Sequence, residues 1–180
     1  MPTLGPAEDT GIAGSLLPLV DYHGVWDAIA DLWLYPASVL VSGALIALCR
    51  SRVWLGAWFV GTAIEVLVKS TLARPDLHQG AIHLGDFDQS LPSGHAMRSL
   101  LVAAAVARAF PRAARWAWAW AASVWILLVA QGWHVPTDVA AGLLLGAALA
   151  LLADDLQRRG VDRGLHPSRA QDVEPPAVEA

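Results

Sequence analysis

Two short segments could do chemistry together. Leu91-Pro92-Ser93-Gly94-His95 and His134-Val135-Pro136-Thr137-Asp138 hold their histidines 39 positions apart, and most of the chain around them is apolar. An imidazole can take or give a proton near neutral pH. Lys69 and Arg98 stand at other ends of apolar blocks. Ionisable groups at such positions are expensive in a membrane and are retained for a reason. Histidines, fixed cations and a serine-glycine pair opening a helix suit phosphoryl chemistry at a membrane surface.

The elements that must position these residues follow from composition. Of 180 residues, 56% are hydrophobic and 16% charged, and a bilayer-crossing helix needs about 20 predominantly apolar residues. Spans are expected at 32–49, 53–72, 94–110, 115–131 and 135–154. Open strands leave backbone polar groups unpaired in lipid, so the expected fold is all-α: an integral membrane bundle of about five transmembrane helices. Residues 15–30, with Leu16, Leu17, Leu19, Val20, Val25, Trp26 and Ile29 among polar positions, read as an N-terminal interfacial helix. Residues 1–14 are expected to be disordered, 15–154 to form the membrane domain, and 155–180 to be a flexible cytoplasmic tail. The N-terminus lacks the basic region and apolar core of a secretory signal. Cys49 stands alone, so no internal disulfide can form.

Basic residues orient the bundle. With 32–49 as the first span, one side receives Arg50, Arg52, Arg108, Arg112, Arg115, Arg158, Arg159, Arg163 and Arg169, and the other only Lys69, Arg74 and Arg98. Nine against three puts the first side in the cytoplasm. Both histidine segments then lie on the extracytoplasmic face.

Lys69 is the sole lysine beside eleven arginines. A compact ammonium kept at one helix end suggests a required point charge. Glu65, four residues earlier on the same helical face, could orient it. As an intramembrane acid, Glu65 should face the bundle interior.

Lys69-Ser-Thr-Leu-Ala-Arg74-Pro75, then Pro92-Ser93-Gly94-His95, then His134-x-x-x-Asp138 resembles the three-part signature of the type 2 phosphatidic acid phosphatase superfamily. That superfamily includes lipid phosphate phosphatases and vanadium haloperoxidases. The resemblance covers about residues 55–150. It implies that His134 is the nucleophile, forming a phosphohistidine, and that Asp138 one turn on fixes its tautomer. It implies that His95 is the general acid for the leaving alcohol and then the base for water. Lys69, Arg74, Ser93 and Gly94 would bind the phosphate, the last two through backbone N–H groups at a helix N-terminus. The scheme needs no metal or cofactor. Two positions depart from the family pattern. Asp76 and Leu77 stand where it has Arg-Pro, with Arg74-Pro75 two places early, and Leu128 replaces an arginine six residues before His134. Arg98, three residues after His95, could supply the missing guanidinium, or could instead pair with Glu65 or Asp138.

The expected function is therefore a lipid phosphate phosphatase of the cell membrane. It would hydrolyse a phosphomonoester or pyrophosphate on a phosphatidate-type or polyprenyl lipid. Partners would be that substrate and membrane lipids, without nucleic acid, and self-association stays open. The alternatives are a catalytically weakened lipid-phosphate binder or transporter-like protein, and a haloperoxidase. Alanine and arginine content suggests a bacterial chain. Trp116, Trp118 and Trp120 fit an interfacial belt. Gln131 and His83 are weaker candidates for headgroup contact. His78, Asp86 and Asp88 read as loop polarity.

Overall fold

The computed structural model describes residues 25–72, 91–131 and 133–165, and these contain helices but no strands. We number the α-helices in chain order: α1 Val25–Leu34, α2 Val39–Leu48, α3 Arg52–Thr71, α4 Gly94–Ala109, α5 Ala114–Ala130 and α6 Pro136–Leu165, with 3-10 turns at Tyr35–Ala37 and Pro111–Ala113. This is a membrane-type helical bundle. Outward faces carry bare apolar side chains such as Leu40, Leu67, Ile126, Leu144 and Leu151, as expected where the surrounding solvent is lipid.

Three described stretches, Arg52–Thr71, Pro111–Ala130 and Pro136–Gly160, are long and apolar enough to cross a membrane. The expected first span is not one straight helix. It bends by 54° between Ile29–Ala37 and Val39–Leu48. Pro36 brings no N–H to the ladder, and Ser38 turns extended before α2 begins. Counted as one broken span, this pair makes a fourth crossing.

Helix α4 has 16 residues, about 24 Å at 1.5 Å per residue, shorter than the hydrocarbon layer. It can be short because it sits in the bundle centre, packed against α5 and α6 and touching α2 and α3. Ten of its residues are buried, Arg98 included. Met97, Leu101, Val102 and Ala105 pack with Ile46, Trp54, Trp58 and Leu149. Small residues permit this density. A methyl group at Gly142 on α6 would lie 2.3 Å from the Ser93 carbonyl oxygen, and one at Gly146 would lie 3.1 Å from the Met97 carbonyl oxygen.

Several tryptophans also join helices rather than only marking an interface. Trp58 donates to Ser42 Oγ at 2.9 Å, Trp125 to Ser99 Oγ at 2.9 Å, and Trp33 to Ser123 Oγ at 2.8 Å. Trp120 donates to the Trp33 carbonyl, whereas Trp116 and Trp118 stay exposed. Helix α6 runs past the expected end of the last span at 154 and continues to Leu165. Asp154 with Arg158, and Asp155 with Arg159, form pairs one turn apart that support the extension. The N-terminal segment before Val25 and the chain from His166 onward lie outside the described residues.

Candidate active site

The C-terminal ends of α3 and α5 and the N-terminal ends of α4 and α6 meet at one end of the bundle. Helix α4 starts where Ser93, in extended backbone, accepts a hydrogen bond from Ala96 N–H at 3.4 Å. Helix α6 starts with Pro136, which has no N–H to leave unpaired in the first turn. The two starts are tied together directly, since Ser93 N–H donates to the Asp138 carbonyl at 3.0 Å. No sequence signal forecasts that bond. It brings the Pro-Ser-Gly-His and His-x-x-x-Asp segments side by side.

His134 is buried and Asp138 wholly so. His134 Nδ1 lies 3.8 Å from Asp138 Oδ2, longer than a hydrogen bond but in range to tighten when substrate binds. The His134 backbone N–H is held by the Leu128 carbonyl at 3.1 Å. His95, half-buried in the first turn of α4, lies within electrostatic reach of Arg98, His134 and Lys69. The first turns of α4 and α6 both point a positive dipole end toward this region, although in α6 Pro136 has no N–H and the Asp138 and Val139 N–H groups donate to the Val135 carbonyl.

The cations arrive through Glu65. Lys69 Nζ lies 3.0 Å from Glu65 Oε1, in the pairing expected from their four-residue spacing. Arg98 Nη1 pairs with Glu65 Oε2, and Arg98 Nε–H donates to the Ala37 carbonyl at 2.8 Å. Of the two readings open for Arg98, the contact made is therefore the one with Glu65. Its side chain turns toward α3 and the broken first span. Leu128 is fully buried among Leu34, Ala96, Val124 and Val139. Its place is taken up by packing, and Arg98 does not extend into it. Gln131, the C-cap of α5, is 5% exposed, and its Oε1 has no partner among the described residues. Arg74, His83 and the other polar loop residues named above fall outside the described residues.

Among the described residues, no cluster of His, Cys, Asp or Glu could hold a metal ion. An apolar crevice of about 600 Å³ lies at the opposite end, lined by Trp54, Leu100, Arg108, Trp118, Leu151 and Asp154 among others. It takes no part in this constellation.

The fold is similar to that of a solved transmembrane PAP2 type phosphatidylglycerolphosphate phosphatase from Bacillus subtilis, with a TM-score of 0.65 at 19% sequence identity, covering 85% of this chain and 86% of that one. No curated protein matches the sequence closely enough to count. The family profile described as the PAP2 superfamily matches residues 56–159, a stretch that begins ahead of Glu65 and ends beyond Asp138. That match covers more than half of the chain and all three of the motifs. This multi-pass membrane chain belongs to the PAP2 superfamily.

Proposed function

We propose that this protein hydrolyses a phosphomonoester or pyrophosphate of a membrane lipid at the extracytoplasmic face. The observation that carries the reading is the junction of two helix N-termini. The Ser93–Asp138 bond ties the start of the helix that carries His95 to the segment that carries His134, and Lys69 is held by Glu65; both support the reading. Phosphoryl transfer needs little more than positioning and fixed positive charge.

His134 attacks phosphorus through the ring nitrogen remote from Asp138, and the bond to the lipid oxygen breaks. His95 gives its proton to that oxygen. His95 then takes a proton from water, the resulting hydroxide attacks the phosphohistidine, and inorganic phosphate leaves with His134 restored. Asp138 orients the His134 ring. Lys69, Arg74 and the Gly94 N–H hold the equatorial oxygens; the Ser93 N–H, expected among them from the sequence, is instead given to the Asp138 carbonyl. Arg98 adds a fixed charge behind them, with the remainder of its guanidinium beyond Nε and Nη1 available to an oxygen. The bundle belongs to the cell membrane, with the C-terminus cytoplasmic by the arginine asymmetry. Because side-chain cations and helix ends provide all the charge, hydrolysis survives excess chelator, and vanadate inhibits as a mimic of five-coordinate phosphorus.

A lipid-phosphate binder without turnover is the second reading, favoured by the packed Leu128 where relatives carry a guanidinium. Phosphate release in detergent from phosphatidate, phosphatidylglycerol phosphate and a polyprenyl pyrophosphate separates the two. Turnover on any of them supports the hydrolase. Binding without release supports the binder, and full loss of activity with EDTA, restored by a divalent ion, contradicts the metal-free scheme.

A further inference from the structure

Three parts of the chain converge on Glu65. It lies on α3, one turn before Lys69, and is only 5% exposed. A carboxylate at that depth needs fixed cationic partners. It has two: the ammonium of Lys69 on its own helix and the guanidinium of Arg98 on α4. Through Arg98 the group reaches the Ala37 carbonyl, at the break in the first span. Irregular backbone at membrane depth persists where protein groups satisfy it, and Arg98 does so here.

The seat of the carboxylate is made by Gly94. A methyl carbon built there would fall 1.9 Å from Glu65 Oε1 and 2.4 Å from its carboxyl carbon. The Gly94 backbone is not in the left-handed region, so close approach, not turn geometry, requires glycine. Any larger residue would expel the carboxylate from beneath the first turn of α4, the turn that carries His95.

We infer that Glu65 is a positioning residue for the phosphate site. Seated in the space at Gly94, it holds Lys69 and Arg98 at a fixed separation under the start of α4. It does not contact substrate itself. Two cations and one anion leave one net positive charge, to which the helix end adds about half a charge. An acid that alone would repel phosphate thus orients the groups that attract it. This inference rests on the phosphatase reading and extends it to a residue outside the motifs.

The test uses the full chain in detergent, with orthovanadate and dioctanoyl phosphatidate as probes. Glu65→Gln keeps the shape and removes the charge, whereas Glu65→Asp keeps the charge and withdraws it by one methylene. Each is measured for melting temperature, for the rise in that temperature with vanadate, and for kcat and KM per folded molecule. The expected result for Glu65→Gln is a kcat lower by about 10²-fold, the scale of a misplaced reacting group. KM moves much less, because the lost interactions tighten in the transition state. Vanadate stabilises both variants less than the native chain, and Glu65→Asp falls between the other two in rate.

If stranding Arg98 prevents Glu65→Gln from folding, Glu65→Asp decides the matter alone. A lowered melting temperature with native kcat and native vanadate response would make the triad a structural ion pair and overturn the inference. A native chain that binds vanadate yet releases no phosphate overturns only the hydrolase reading, and the vanadate comparison still judges Glu65. A native chain indifferent to vanadate removes both.

Discussion

The two ends of the bundle use charge in opposite ways. At the histidine end, Glu65, Arg98, His134 and Asp138 are all buried, and Arg98 is held by partners from two other parts of the chain. At the arginine end, Arg158 and Arg159 are about two-thirds exposed and pair with acids one turn back on their own helix. Arg108 reaches Asp154 at 3.0 Å across helices but is itself 40% exposed, and Arg115 rests over the Trp116 ring. Exposed pairs contribute roughly 0.2–1 kcal/mol and are screened by salt. Breaking a buried pair is strongly destabilising, by about 3–5 kcal/mol. We propose that the charges kept buried at such cost position the chemistry, and that those at the other end set topology.

Substitutions at the two ends should therefore differ by orders of magnitude. The largest effect short of removing the nucleophile is expected for Asp138→Asn, which keeps the packing but loses control of the His134 ring. Turnover should fall by about 10⁴-fold, the scale for a triad aspartate, with the fold intact by circular dichroism. A loss below tenfold would deny Asp138 that role.

Arg98→Ala comes next. Turnover should drop by about 10²-fold or more, the scale for one preorganised donor, and Arg98→Lys should recover only part of it. Native turnover in a folded Arg98→Ala protein would reduce Arg98 to a tie between Glu65 and Ala37. Rescue by Leu128→Arg is not expected, since Leu128 packs with Leu34, Ala96, Val124 and Val139 on another side of α4.

Gly142→Ala tests the junction itself. Its methyl would press on the Ser93 carbonyl, so α4 and α6 must part. A stability loss of about 1–3 kcal/mol, as for other overpacked sites, should appear as a lower melting temperature together with reduced turnover. Equal turnover with a lower melting temperature would free the chemistry from the Ser93–Asp138 contact.

The smallest effect belongs to the arginine end. Arg108→Ala should change stability by no more than about 1 kcal/mol and leave turnover unchanged. A large loss of activity there would mean that the two ends are coupled, and the contrast drawn between them would fail.

Much of this was legible in the sequence. Helices α3, α4 and α5 begin and end within a few residues of the expected spans, because unbroken apolar stretches can do little else in lipid. Lys69 and Glu65 pair as their spacing implies. The broken first span was less visible, since hydropathy runs on across Pro36 while the proline interrupts the hydrogen-bond ladder. The length of α6 is hidden because hydropathy falls off at Asp154, whereas charges four apart with opposite sign sustain a helix beyond it. The partner of Arg98 is open between Glu65 and Asp138 in the sequence, since a separation of 33 positions hides a contact that depends on how α3 packs against α4. Nothing in the sequence marks the Ala37 carbonyl as its second acceptor or Glu65 as the reason for Gly94.

Phosphate release from the three lipid phosphates, by native protein and by His134→Ala under excess EDTA, tests the central claim most directly. Native protein should release phosphate from at least one lipid with chelator present and form an acid-labile phosphoenzyme, and His134→Ala should do neither. Equal release by the two proteins, or a phosphoenzyme that persists without His134, would contradict it.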